Sequence, residues 1–234
     1  ITHNETSTGV ALPLAEMCDV VRNQSPDTLV AVDGVSIAGA VDLKIEVVRP
    51  DFYLWSLQKD FSIPAIGSVM IVSDRAIQVA RAVPNRGYVL DLVDWMDRAE
   101  GDQTPMTVPD LTLRCLVARL EEMQQEGDGR YERHAALSAM QREWAADNGL
   151  SVMAAPGFEG PTVTAIYLPD GVEGPAFVAA ALELLNVQLA AGYGPTRDRA
   201  IRIAAMGQTC VEDMAKVLKG LSLILQNWEE IEKG

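Results

Sequence analysis

The sequence predicts an α/β fold with a mostly parallel sheet, followed by a smaller α+β unit. Three observations predict it. Short apolar runs alternate with amphipathic stretches over the first hundred residues, as when strands are joined by helices. The run at residues 29–32 closes on Asp33-Gly34, as a buried strand ends in a turn. After Gly149 the pattern changes to short strands around two helices. The chain's 234 residues fit one large domain or two modest ones.

Residues 13–22 place Leu14, Met17, Cys18 and Val21 at helical spacing. Residues 29–32 read as a buried parallel strand carrying Asp33 at its carboxyl end. Residues 68–72 read as a second such strand, and a helix follows over 75–83 with Asp74 as its N-cap. Pro84, Gly87, Gly101, Pro105 and Pro109 punctuate a long loop that holds one short helix. Pro109-Asp110 then opens a helix to residue 124, with Leu113, Leu116, Val117 and Leu120 on one face. Residues 126–129 break it, and a long helix over 130–147 ends at Asn148-Gly149. Beyond lie expected strands at 151–155, 162–168, 187–190 and 200–204, and helices at 174–185 and 211–228. The boundary is expected at the long helix, giving units 1–129 and 130–234.

Composition excludes several function classes. Nineteen Lys and Arg against 33 Asp and Glu give a net charge of −14, a field that repels nucleic-acid phosphates. No apolar run reaches the ~18 residues of a membrane span. Cys18, Cys115 and Cys210 are scattered, so neither a disulfide framework nor a zinc site is expected, and the expected setting is cytoplasmic. His3 and His134 alone cannot build a multi-histidine metal site.

Four segments could carry chemistry. Lys59 is the only lysine between Lys44 and Lys216, and it sits in the apolar, aromatic stretch 53–61. It is either an imine-forming amine or a snorkelling surface lysine. Asp33 lies at the sheet's carboxyl edge, where open α/β folds bind ligands. It would meet a cation there, or it caps the turn before Gly34. Residues 3–9 (HNETSTG) form a hydroxyl-rich loop, a ligand loop or a helix cap. Arg202 interrupts the apolar strand 200–204, opposite Ile201 and Ile203, and calls for a carboxylate from the protein or from a substrate.

Taken in order, these segments resemble the class V aminotransferases of the fold-type-I pyridoxal 5'-phosphate (PLP) superfamily, in particular the alanine–glyoxylate and serine–pyruvate group. The matching stretches are residues 2–10, Val32-Asp33-Gly34-Val35-Ser36, Ser56-Leu57-Gln58-Lys59, residues 104–109 (TPMTVP) and residues 202–207 (RIAAMG). The resemblance implies part of a PLP-transferase large domain, mostly parallel and three-layered, followed by the small α+β domain. It implies a Schiff base on Lys59, and Asp33 holding the pyridine nitrogen protonated. Val35 would pack on the ring, Thr6 would reach its phenolic oxygen, and Gln58 would contact the phosphate. Thr107 would reach the phosphate of a second subunit, making a homodimer. Arg202 would clamp the substrate carboxylate. The implied reaction moves an amino group from alanine or serine to glyoxylate or pyruvate. Phosphoserine aminotransferases, other class V PLP enzymes and a non-catalytic fragment or subunit remain alternatives.

The chain departs from the family pattern in places. Ala204 stands where a glycine is usual, Pro64-Ala65-Ile66-Gly67 replaces a Pro-Pro-Gly run, and Thr104 stands where some relatives have tyrosine. The chain opens on Ile1, at the hydroxyl-rich loop itself. The family's phosphate cradle and ring-stacking aromatic are therefore expected on a preceding segment of the same enzyme.

Overall fold

The computed structural model describes residues 1–232. A hairpin of β1 (Asn4–Glu5) and β2 (Val10–Ala11) opens the chain, and its turn is the hydroxyl-rich loop Thr6-Ser7-Thr8-Gly9. Gly9 is required there. Its φ is +72°, and a Cβ would meet the Val163 carbonyl at 2.7 Å. Next come α1 (Leu14–Gln24), β3 (Ala31–Asp33), the single turn α2 (Ile45–Val48), β4 (Phe52–Ser56), β5 (Ser68–Val72) and α3 (Asp74–Ala82). α1 turns Leu14 and Cys18 inward, one helical turn apart, against Val30, Val32, Val48 and Tyr53.

The first sheet has the order β3-β4-β5. β3 and β4 are parallel, with Asp33 opposite Leu54. β5 has the bounds expected for it, yet it runs antiparallel to β4, and Met70 and Ile71 are exposed. The cause lies in the connection, since residues 57–67 contain no helix and a parallel return needs a crossover of about a dozen residues or more. The cap of α3 also differs from expectation. Ser73 is the N-cap, its hydroxyl accepting from the Ala76 N–H at 3.1 Å and donating to Asp51 at 2.9 Å.

α4 (Leu92–Ala99) is the short helix within the long loop, capped by Asp91. α5 (Asp110–Glu126) buries Thr112, Arg119 and Met123, while Leu113, Val117 and Leu120 stay exposed. Amphipathic spacing located the apolar face of this helix but not which face packs inward.

α6 (Gly129–Asp147) leads into the α+β unit of β6 (Ser151–Val152), β7 (Val163–Tyr167), α7 (Gly174–Leu185), β8 (Ala190–Ala191), β9 (Ala200–Ala204), α8 (Val211–Gln226) and α9 (Trp228–Ile231). Its sheet is antiparallel in the order β6-β7-β9-β8. β6 is shorter than its apolar run, β8 shares only Ala190 with the strand expected at 187–190, and the expected closing helix splits at Asn227 into α8 and α9. Ile201 and Ile203 of β9 are buried with Leu137, Trp144, Phe177, Leu221 and Trp228. Burying such side chains stabilises the fold by roughly 1.5–3 kcal/mol each. Among the described residues, no helix is long and apolar enough to cross a membrane.

Candidate functional site

β3 brings Asp33 to its carboxyl end, and the start of the chain is laced to the same point. His3 N–H donates to the Asp33 carbonyl at 2.8 Å, and Asp33 N–H donates to the Ile1 carbonyl at 2.8 Å. The hydroxyl-rich turn is thereby held beside the strand end. The Thr6 hydroxyl bonds the Ser36 hydroxyl, and the Ser36 carbonyl accepts from the Thr162 hydroxyl of the α+β unit. Arg202 Nε donates to the Ala191 carbonyl at 2.9 Å, and Nη1 lies 3.4 Å from the Thr6 carbonyl. Thr6, Asp33, Val35 and Arg202 thus meet in one hydrogen-bonded region.

Asp33 Oδ1 accepts the Val35 N–H at 2.9 Å, so the turn-capping role is real. The side chain is exposed, and no Lys or Arg pairs with it among the described residues. Beneath it lies Tyr53, whose ring packs on Gly34; a Cβ at that position would sit 2.3 Å from the ring. Burial, with a contribution from the charge of Asp33, pushes the Tyr53 hydroxyl pKa up, so it stays neutral.

His3 Nδ1 lies 3.2 Å from the Tyr53 hydroxyl. Burial pushes the His3 pKa down from 6.5 to about 4. The folded state therefore binds fewer protons than the unfolded chain between these values. This stabilisation is complete above pH 6.5 and is lost as the pH falls toward 4. The expected loss is about 2 kcal/mol. Denaturant titrations at pH 7 and pH 4.5 should show it in the wild type, and His3→Gln should flatten that limb.

Lys59 lies in the turn after β4, half-buried, with its ammonium in no hydrogen bond or ion pair among the described residues. Its carbonyl accepts the Ser62 N–H at 3.0 Å. Gln58 beside it is exposed. Thr107 is exposed in the loop before α5, and no hydrogen bond joins it to the other candidates. A cavity of about 630 Å³ lies between the 38–46 segment, β4 and the ends of α5 and α6, and none of the candidate residues lines it.

Sequence reasoning overlooked a second polar cluster next to Lys59. Asp60 is 2% exposed, its Oδ1 accepting the Gly207 N–H at 2.9 Å and its Oδ2 3.3 Å from His134 Nε2. His134 Nδ1 lies 2.7 Å from the Ala205 carbonyl and so carries a proton. Burial raises the Asp60 pKa to about 7, and burial pushes that of His134 down to about 4. The folded pair holds one proton across pH 4–6.5, as the unfolded pair does, so it adds no slope to the His3 limb. The one signal in the sequence was an acid placed inside the apolar run 53–61.

The family model for class-V aminotransferases matches residues 1–108. Serine–glyoxylate aminotransferase of Methylorubrum extorquens is 31% identical over 214 residues, covering 88% of this chain and 53% of the relative. Pyridoxamine–pyruvate transaminase of Mesorhizobium japonicum is 30% identical, covering 89% of this chain and 54% of the relative. Among solved structures, pyridoxamine–pyruvate aminotransferase of Mesorhizobium loti superposes with a TM-score of 0.88 at 27% identity, over 97% of this chain and 59% of that one. The chain spans about half the length of the curated relatives it matches. β3 with its Asp33 and the Lys59 turn lie within the residues the class-V aminotransferase model matches, and the superposition runs over nearly the whole chain, so the chain has the fold-type-I architecture of the class-V aminotransferases over the part it spans.

Proposed function

We propose that this chain carries the lysine-bearing part of a PLP-dependent aminotransferase that moves an amino group from a small amino acid, such as alanine or serine, to a 2-oxo acid such as glyoxylate or pyruvate. The observation that carries this reading is the meeting of a strand-end carboxylate (Asp33), a hydroxyl (Thr6) and a guanidinium (Arg202) in one hydrogen-bonded region, with an amine (Lys59) in the turn after β4, the strand that pairs with β3; neither Asp33 nor Lys59 has an ion-pair partner among the described residues. This donor set fits the cofactor's aldehyde, ring nitrogen and phenolic oxygen, and the substrate's carboxylate. PLP, when bound, supplies an electron sink for the pair released at the substrate α-carbon. Lys59 would hold the aldehyde carbon and then move the proton at the substrate α-carbon. Asp33 would keep the ring nitrogen protonated, Val35 would pack on the ring, and the Thr6 hydroxyl would donate to the phenolic oxygen. The Gln58 amide would donate to the phosphate, and so would Thr107 of a second copy.

The activities of the relatives, serine–glyoxylate and pyridoxamine–pyruvate transamination, support the acceptor class. The exposed stripe of Leu113, Val117 and Leu120, on the helix that follows Thr107, supports a homodimer. Three free cysteines support a cytoplasmic setting. Incubating the native protein with PLP, alanine or serine, and glyoxylate or pyruvate tests the reaction. Absence of amino transfer with every pair refutes it.

Arg202 gives a separate expectation. Nε is already committed to the Ala191 carbonyl, which fixes the plane of the fork. Arg202→Lys keeps the charge and loses the bidentate geometry. It should raise KM for the amino acid and the oxo acid by roughly tenfold or more while PLP uptake is unchanged. An unaltered KM would show that the guanidinium serves only the Ala191 and Thr6 carbonyls.

A further inference from the structure

We propose that Asp60 is a positioning residue that fixes the Lys59 turn to the segment continuing the Arg202 strand, an inference that rests on Lys59 being the cofactor-bearing amine. The two groups belong to different sheets, Lys59 following β4 and Arg202 lying in β9. Asp60 joins them twice. Oδ1 takes the Gly207 N–H at 2.9 Å, and Oδ2 faces His134 Nε2 at 3.3 Å. His134 in turn is fastened through Nδ1 to the Ala205 carbonyl at 2.7 Å, in the segment that leaves β9.

The packing around this joint is close. A Cβ on Gly207 would lie 2.0 Å from the Ser62 hydroxyl, and one on Gly39 would lie 3.1 Å from Asp60 Oδ2. Ser62 adopts φ +54°, a left-handed conformation in which a non-glycine Cβ crowds the following carbonyl. A turn in that conformation persists because its surroundings hold it. Phe61, between Asp60 and Ser62, stacks on Trp55 with ring centroids 5.6 Å apart. A buried carboxyl that ties a strained turn to a second sheet holds Lys59 at a set place relative to Arg202.

The joint also titrates. Burial raises the carboxyl pKa to about 7, against the pull of Arg133 and Arg130 on α6, Arg119 on α5 and the Gly207 N–H. Glu126 at the end of α5 favours a charged His134, while Arg133 and Arg119 oppose it. Below pH 7 the carboxyl proton lies toward His134 Nε2. Above it that contact becomes a carboxylate facing a lone pair, and the joint loosens.

The test uses the native protein with added PLP. Borohydride reduction followed by mass spectrometry of the Lys59 peptide reads how fast the amine captures the cofactor, independently of turnover. Asp60→Ala should slow capture at least tenfold. Asp60→Asn keeps an acceptor for Gly207 and supplies a donor to His134, so it should restore capture to within about twofold of wild type. The wild-type rate should show an inflection near pH 7 that is absent in Asp60→Asn. If both variants capture PLP at the wild-type rate with the wild-type pH profile, Asp60 is only a core residue and the proposal is wrong. If Asp60→Ala fails to fold, the pH profile of Asp60→Asn decides alone. Should the wild type itself form no adduct at Lys59, the functional reading falls and the positioning role with it.

Discussion

Lys59→Ala is expected to lower turnover by about a thousandfold or more and to abolish the borohydride-trapped cofactor on the 59 peptide. The structure supports an effect of this size. The amine is half-buried, next to a fixed turn, and free of any ion pair among the described residues that would have to break before it reacted. Two roles would vanish together: holding the aldehyde carbon and moving the proton at the substrate α-carbon. Proton transfer by a positioned group alone contributes about 10²–10⁴-fold. Lys59→Arg separates these roles from charge, since it keeps the cation and offers no nucleophilic amine at neutral pH. It should be as inactive as the alanine variant. Full activity in either variant would make Lys59 a surface lysine whose stem lies on apolar neighbours.

Much of the arrangement could be read from the chain, and the failures have physical causes. Asp33 was legible because an apolar run ended in a carboxylate, and Arg202 because period-two alternation isolates it from Ile201 and Ile203. β4 was not read as a strand. Residues 52–56 include three aromatics with no apolar–polar alternation, and the tyrosine among them is fully buried. The direction of β5 was misread because a short apolar run carries no polarity; the helix-free connection before it did. Asp60 and His134 stayed hidden for a different reason. They lie far apart in sequence and gain meaning only when the Lys59 turn and α6 come together. Resemblance to a family supplied the roles, while spacing supplied only the places.

Asp33→Asn is expected to lower kcat by roughly a hundredfold, about 2.7 kcal/mol of barrier, with a much smaller change in cofactor affinity. The amide keeps an oxygen for the Val35 N–H, so the turn survives and only the charge is lost. The size of the effect depends on what covers the carboxylate. Exposed to water, as the side chain is here, a carboxylate stabilises a neighbouring cation by about 0–1 kcal/mol. Covered by a flat aromatic ring and backed by the buried Tyr53 and His3, it acts through a poorer dielectric. At an effective value near 20, about 4 kcal/mol is available at 4 Å. Tyr53 cannot substitute as an anion, because burial keeps its hydroxyl protonated. His3 cannot supply a competing cation at neutral pH, since burial holds its pKa at about 4. On the proposed reading, Asp33 is the anion that would hold a ring nitrogen protonated. Asp33→Glu keeps the charge but shifts it by one methylene, and it should retain more activity than the asparagine variant. Kinetics of the three proteins decide the matter. If Asp33→Asn turns over like the wild type, the carboxylate does no more than cap the turn at Val35.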